Sequence, residues 1–287
     1  MQQRLRGLGV GALALVALTL VGGCRPPERQ TGLPPGASAM IQVPPGGPDF
    51  SVQTPEGLGW AQANARDLLQ RCYRTLREVY YVDPPVVWQV TYGPTAEPAY
   101  HDLLAAPVYE GEGRLQLSAG YLAAPSDDPG WRFTPLLGTV EGVAYGFNDY
   151  FGLQNTDVDL GLAAVIARQV APIVWGGVGL GEIHAQVLKY QEAEDKAVTA
   201  WRETGARPEG GDERSFERMR QMSLCRKLAE AGSPGMWRML FQVMGEQGRP
   251  LTQVADRKAG NRRLVELLKE ITWQDFAPLF KQYGYEL

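Results

Sequence analysis

Strand-forming sequence is confined to a short, early part of the chain, and this confinement is what most constrains the fold. Residues 86–92 are rich in β-branched and aromatic side chains, which predicts a strand. Residues 108–109 and 114–117 flank the turn sequence Glu110-Gly111-Glu112-Gly113, a pattern typical of a β-hairpin. Strands early and helices late predict an α+β fold with a small mixed or antiparallel sheet, an edge hairpin and a helical C-terminal half.

Apolar residues at helical spacing predict one helix before this sheet and a series of helices after it. The predicted helices span residues 57–81, 135–151, 157–170, 179–204, 214–231, 234–246, 261–271 and 273–283. We expect Pro172 to break the chain after the third helix, Pro234 to occupy a first turn, and Asp157 or Asp159 to act as an N-cap. The charged run at residues 191–196 is interpreted as a solvated helix face.

The N-terminus has the pattern of a secretory signal. Arg4 and Arg6 precede an apolar stretch from Leu8 to Val21, and small residues follow before Cys24. A basic start, a short apolar stretch and small residues at the cleavage point are typical of a signal peptide, whereas a membrane span needs about twenty apolar residues.

The string Leu20-Val21-Gly22-Gly23-Cys24 resembles the bacterial lipobox, in which cleavage leaves Cys as the lipidated first residue. This resemblance implies a signal peptide at residues 1–23 and an anchor to a membrane through a lipid on Cys24. Arg25 stands where Asp would resemble the signal for inner-membrane retention, so the outer membrane is expected if the organism has one. Residues 24–50 are rich in Pro and Gly and predict an extended tether. We expect residues 51–287 to form a single globular domain outside the cytoplasm.

The order of elements over roughly residues 57–285 resembles the gluzincin metallopeptidases, the peptidase MA-like group. Bacterial secreted members run from a strand through a Gly-Arg-apolar hairpin and a His-Glu-x-x-His helix to a Trp-x-x-Glu-Gly-Leu-Ala-Glu segment. Residues 138–145 and 175–182 correspond to the last two of these. The resemblance implies a zincin-like fold, in which two His and a later Glu bind Zn²⁺ and the first Glu is the general base.

The metal ligands of that family are replaced in this chain. The best match places Val140 and Ala144 at the two His positions, Glu141 at the base position and Val178 at the third ligand. The residues that do fit the later segment are Trp175, Gly179, Leu180 and Glu182. Val and Ala have no lone pair to offer a metal, so the resemblance implies a degenerate member with no zinc site or cofactor at these positions.

The remaining candidates for chemistry have plainer interpretations. Glu141 is expected at the rim of its helix's apolar face, and Glu182 and His184 at a helix start, where a Glu suits the helix dipole. His101 is expected on the surface. The chain has two His, His101 and His184, and they do not form a pair at i and i+4, so a zinc site built on these two residues and a carboxylate is an unsupported alternative. Aromatic residues could line the cleft of the missing metal or pack in the core: Trp175, Tyr145, Phe147, Tyr150 and Phe151.

Charge and cysteine content narrow the partners. The formal net charge of −4 becomes about −6 once Arg4 and Arg6 leave with the signal, which excludes a basic surface for binding nucleic acid.

Cys72 and Cys225 each lie on a predicted apolar helix face. Free buried thiols are therefore expected, with a disulfide as the alternative outside the cytoplasm.

Three functions follow as hypotheses. The first is a pseudoenzyme, a surface lipoprotein whose peptidase-like domain binds a peptide, protein or glycan in its cleft without catalysis. The second is a cell-envelope hydrolase that uses Glu141 and Glu182 as acid and base, with at least one raised pKa. The third is an envelope-assembly lipoprotein unrelated to peptidases.

Overall fold

The computed structural model describes residues 48–93, 107–122, 129–175, 180–207, 213–233 and 235–287. The described strands are β1 (Phe50–Gln53), β2 (Trp88–Gly93), β3 (Val108–Tyr109) and β4 (Arg114–Ser118). The described helices are α1 (Gln62–Tyr80), α2 (Pro129–Phe151), α3 (Asp159–Trp175), α4 (Leu180–Thr204), α5 (Glu213–Gly232), α6 (Met236–Glu246), α7 (Arg257–Thr272) and α8 (Ala277–Gln282). The α+β fold with a helical C-terminal half is confirmed.

The four described strands form one mixed sheet in the order β1-β2-β4-β3. Strands β1 and β4 run parallel to β2, and β3 pairs antiparallel with β4 at the edge. The predicted edge hairpin is therefore confirmed. Alternate residues of β1, β2 and β4 are buried, so one face of the sheet packs on the helices, as expected for a half-covered sheet.

Helix α2 is the centre of the packing. It lies on the sheet and on α1, its most extensive helix neighbour is α3, and α3 in turn packs on α5. The face of α2 toward the sheet carries Gly138, Gly142 and Gly146. A Cβ atom at these positions would overlap Tyr121, Leu115 and Trp88 respectively. Glycine at every fourth residue thus lets α2 lie close against the sheet.

Strand β1 was not predicted, because four alternating residues at the end of a Pro-rich segment give a weak signal. Phe50 and Val52 of this strand are buried, and Phe50 packs on Trp88 with ring centroids 5.5 Å apart. The sheet thus includes Phe50, one residue before the predicted start of the globular domain. The signal peptide, Cys24 and the tether up to residue 47 lie outside the described residues.

Two helices extend past prolines that predict a helix boundary. Helix α2 begins at Pro129, six residues before Pro135, and α3 continues through Pro172 to Trp175. Pro172 falls in the last turn of α3, where its missing N–H costs one helical hydrogen bond.

Near the C-terminus, α7 begins at Arg257, since Asp256 caps it by accepting a hydrogen bond from the backbone N–H of Ala259 at 2.7 Å. Pro234 lies outside the described residues.

Candidate functional site

The positions matched to metal ligands lie in the hydrophobic core. Val140 and Ala144 on α2 are both fully buried and belong to the main apolar cluster. Helix α2, which carries them, packs on the sheet, on α1 and on α3. Val178 lies in the segment 176–179, outside the described residues.

Glu141, at the general-base position, is bound by an arginine in the core. Arg218 on α5 donates from Nε to Oε1 of Glu141 at 2.6 Å, and its Nη2 contacts Oε2. The hydroxyl of Tyr145, one turn along α2, donates to the same Oε1 at 2.8 Å. The prediction that Glu141 is a rim carboxylate is therefore wrong. The error arose because a buried partner from another helix can place a charge where the helix pattern indicates solvent.

Both charges of the Glu141–Arg218 ion pair are shielded from water. The side chains of Arg218 and Glu141 are 2% and 3% exposed. Burial by itself would lower the pKa of Arg218, but the attraction of Glu141 outweighs it and raises that pKa. The guanidinium is therefore charged at any physiological pH. With both of its oxygens engaged and shielded from water, the Glu141 carboxylate is poorly placed to act as an acid or base.

A second set of charged residues, most of them largely shielded from water, connects α3, α4 and α5. Arg168 of α3 binds the two carboxylate oxygens of Glu194 on α4 at 2.5 and 2.7 Å, and Arg226 of α5 contacts Glu194 at 3.3 Å and Asp195 at 2.5 Å. Burial would raise the pKa of Glu194, but Arg168 outweighs it and lowers that pKa. The interpretation of residues 191–196 as a solvated face is thus wrong for Glu194, which joins three helices.

A cleft opens beside the buried pair, between the β3–β4 turn and the junction of α2 with α3. It encloses about 280 Å³. Residues that line it include Tyr109, Glu110, Tyr145, Asp149, Asp159 and Arg214. We call this the acidic cleft, because three carboxylates and one guanidinium contribute to its wall. Tyr145 connects the two features, since it lines the cleft and also binds Glu141.

Two carboxylates of the acidic cleft lack a cationic partner within 4 Å among the described residues. Asp159, at the start of α3, accepts a hydrogen bond from Asn148 Nδ2 at 2.9 Å, and Asp149 has the hydroxyl of Tyr109 at 3.5 Å. Burial, with a smaller contribution from Asp149, raises the pKa of Asp159 to about 6. Burial also raises the pKa of Asp149. Carboxyl groups perturbed by desolvation in a cleft are common at functional sites.

The aromatic residues of α2 divide between cleft and core. Tyr145 lines the acidic cleft, whereas Phe147 and Phe151 stack on Tyr80 in the core with centroids 4.9 and 6.4 Å away. Tyr150 is half-buried and carries the guanidinium of Arg249 over its ring at 4.7 Å. Core packing therefore accounts for Phe147 and Phe151. The side chain of Trp175 is outside the described part.

The other predicted site residues are not gathered in this cleft. His184 is exposed on α4; the side chain of Glu182 and all of His101 lie outside the described residues. Cys72 and Cys225 are both buried free thiols, so the disulfide alternative is wrong. Within the described ranges, no three His, Cys, Asp or Glu side chains are grouped as metal ligands would be.

Three residues of this region have no clear functional signal in the sequence: Arg218, which binds Glu141, and the cleft residues Asp149 and Asp159. Asp159 fits the pattern of an N-cap, and Asp149 lies one turn beyond Tyr145 on the same helix, a spacing that places two polar residues on one face. No comparable signal exists for Arg218. Its helix, α5, also buries Ser215, Gln221 and Ser223, and such a mixture obscures the apolar face.

No helix in the described ranges is both long and apolar enough to span a membrane. Comparison with protein-family models and with curated protein sequences gives no match for this chain.

Proposed function

We propose that this protein is a lipid-anchored protein of the bacterial cell envelope whose metallopeptidase-like domain binds a ligand without catalysing a reaction. One observation carries the proposal: the general-base position, Glu141, holds a buried ion pair with Arg218 where the family would have a metal-bound water. The neighbouring ligand positions, Val140 and Ala144, are core residues. These replacements favour a binding role over hydrolysis, including hydrolysis by Glu141 and Glu182.

The acidic cleft is the proposed ligand site, for a peptide, protein or glycan. Its three carboxylates, Glu110, Asp149 and Asp159, outnumber its single guanidinium. An excess of carboxylates favours a ligand that carries a positive group, such as a lysine side chain or a free amino group. The phenol rings of Tyr109 and Tyr145 add apolar surface, as in most small binding sites.

The first experiment measures metal in the full-length protein, purified in detergent without chelators, by inductively coupled plasma mass spectrometry. We expect far less than one zinc per chain and no peptide hydrolysis after Zn²⁺ is added. About one zinc per chain would contradict the proposal. The variants His101→Ala and His184→Ala would then locate the metal.

The second experiment tests binding in the living cell with a photo-crosslinking residue at Gln154, an exposed residue that lines the acidic cleft. We expect a discrete crosslinked product that disappears when Asp149 and Asp159 are both changed to Asn. The control carries the crosslinker at Glu192, an exposed residue of α4. A product that persists in the Asn variant would argue against the cleft.

The third experiment tests the anchor. Labelled palmitate is expected to enter the wild-type protein and not the Cys24→Ala variant, and the wild type is expected to fractionate with the outer membrane if the cell has one. Incorporation of label into Cys24→Ala would rule out lipidation at Cys24.

A further inference from the structure

A second cavity lies at the C-terminal end of α4 and shares no lining residue with the acidic cleft. It encloses about 500 Å³ between the last turn of α4 and the last turn of α8. The residues used below are Thr199, Trp201, Arg202, Glu203, Lys281 and Gln282, all of which line it. We call this cavity the C-terminal groove.

Two glycines at helix ends line the C-terminal groove. Gly205 ends α4 and Gly284 follows the end of α8, with φ of +71° and +78°, and both line the groove. The N–H of Gly205 bonds to the carbonyl of Trp201 at 2.7 Å, and that of Gly284 to the carbonyl of Lys281 at 2.9 Å. Both helices thus end with a residue that has no side chain to fill the space.

The aromatic wall of the groove is held in place by its neighbours. The guanidinium of Arg220 lies 5.3 Å from the ring of Trp201 and 4.3 Å from the ring of Tyr285. Arg220 also binds Glu217 at 2.6 Å, and Phe216 meets the indole edge-on at 5.4 Å. An indole fixed in this way loses little conformational freedom when a ligand binds, which is the advantage of a preorganised site.

Two positively charged residues, Arg202 and Lys281, line the same groove. Neither lies within 4 Å of a carboxylate in the described part of the chain, although Glu203 lines the same groove, and the guanidinium of Arg202 lies 5.2 Å from the centroid of the Tyr283 ring. Each belongs to the last turn of its helix, where a cation interacts favourably with the helix dipole. The dipole accounts for one cation at each helix end. It does not account for the indole of Trp201 or for the open space.

The combination of groups indicates the chemistry of a ligand. An indole offers a flat apolar surface for the C–H face of a sugar ring, and Arg202 and Lys281 offer charge-assisted hydrogen bonds to a carboxylate. Thr199 and Gln282 supply neutral donors and acceptors for hydroxyl groups, and Glu203 supplies an acceptor. A neutral sugar would leave the two cations unused, and a bare anion would leave the indole unused.

We propose that the C-terminal groove binds an acidic carbohydrate, with its ring on Trp201 and its carboxylate between Arg202 and Lys281. This site is independent of the proposed function of the acidic cleft, so either can fail without the other. A lipid-anchored protein with two such sites could hold an acidic glycan and a second ligand at the same time.

The test follows the seven tryptophan indole N–H signals of the ¹⁵N-labelled full-length protein in detergent micelles. The signal of Trp201 is the one missing from the Trp201→Phe variant. Glucuronate, glucose and inorganic phosphate are added in separate titrations. We expect glucuronate to shift the Trp201 signal saturably, and glucose and phosphate each to bind at least about fivefold more weakly.

Charge variants make the test specific. The double variant with Arg202→Gln and Lys281→Gln is expected to bind glucuronate about fivefold or more weakly than the wild type. The control double variant, Lys189→Gln with Lys196→Gln at exposed positions of α4, is expected to bind glucuronate as strongly as the wild type. If Trp201→Phe does not fold, calorimetric titration of the charge variants makes the same comparison. The proposal would be overturned if glucuronate bound no more strongly than glucose or no more strongly than phosphate. It would also be overturned if glucuronate bound equally well to the double variant at Arg202 and Lys281 and to the double variant at Lys189 and Lys196.

Discussion

Glu141 of α2 and Arg218 of α5, 77 residues apart in sequence, form a salt bridge in the core, with Arg218 Nε 2.6 Å from Glu141 Oε1. The pair couples the helix that lies on the sheet to the helical C-terminal half. Burial of two charges is costly, and their attraction compensates only while both partners are present. Removal of one partner is therefore more harmful than removal of both.

Glu141→Gln is expected to destabilise the fold by about 3 kcal/mol, because it leaves the charge of Arg218 buried without a counter-charge. The free energy of unfolding, measured by urea denaturation, checks this value. The double variant with Met at positions 141 and 218 is expected to recover at least half of the loss.

The control for this prediction is Glu213→Gln. Glu213 pairs with Arg207 at 3.5 Å on the surface, so its loss should change the free energy of unfolding by less than about 0.5 kcal/mol. If Glu141→Gln and Glu213→Gln lowered the free energy of unfolding equally, the buried pair would contribute no more to stability than the surface pair.

We expect the free energy of unfolding to depend on pH through the ionisation of Asp159. Its pKa of about 6 in the folded state exceeds the value of about 3.9 typical of an unfolded chain, so folding favours its protonated form. Its stabilising contribution is complete below about pH 4 and is lost as the pH rises through 6. Asp159→Asn should therefore raise the free energy of unfolding at pH 7.5 by about 1 to 2 kcal/mol and by much less at pH 4.5.

Thermal or urea unfolding at both pH values measures this difference. Glu192→Gln, which removes an exposed carboxylate of α4, is the control and should have a similar small effect at each pH. A benefit of Asp159→Asn that is equal at pH 4.5 and 7.5 would show that Asp159 does not titrate in this range.

Gly161 of α3 sets the distance to α5. A Cβ atom here would overlap the backbone at Gln221 and Met222, and backbone cannot move aside as a side chain end can. We expect Gly161→Ala to cost about 2 to 3 kcal/mol. Gly245→Ala in α6 is the matched control, because a Cβ atom there meets nothing within 4 Å and Ala favours helix. The control should be neutral or stabilising by up to about 1 kcal/mol.

The two free thiols should be unreactive in the folded protein. Cys72 and Cys225 are fully buried, and burial raises the pKa of both thiols. Because the thiolate is the reactive form, we expect almost no labelling by Ellman's reagent in native buffer and labelling of both in guanidinium chloride. Absence of reaction in denaturant without a reductant would indicate a disulfide instead.

Local patterns in the sequence predict the fold class and the order of most elements. The helices from residue 135 onward and the hairpin around Gly111 follow from local periodicity and turn residues, which act within a few positions of the chain. The lack of a metal-binding side chain at Val140 and Ala144 is equally visible, because it depends on residue identity alone.

The environment of the charged residues depends on contacts between distant parts of the chain. Helix periodicity places Glu141 at the rim of an apolar face and Glu194 on a solvated face, yet Glu141 is buried and Glu194 is largely shielded from water, each by an arginine from another helix. Strand β1 likewise exists because Phe50 and Val52 pack against residues that lie far along the chain. Local sequence patterns do not encode such long-range partners, since the free energy of burying a charge depends on which residue the completed fold places beside it.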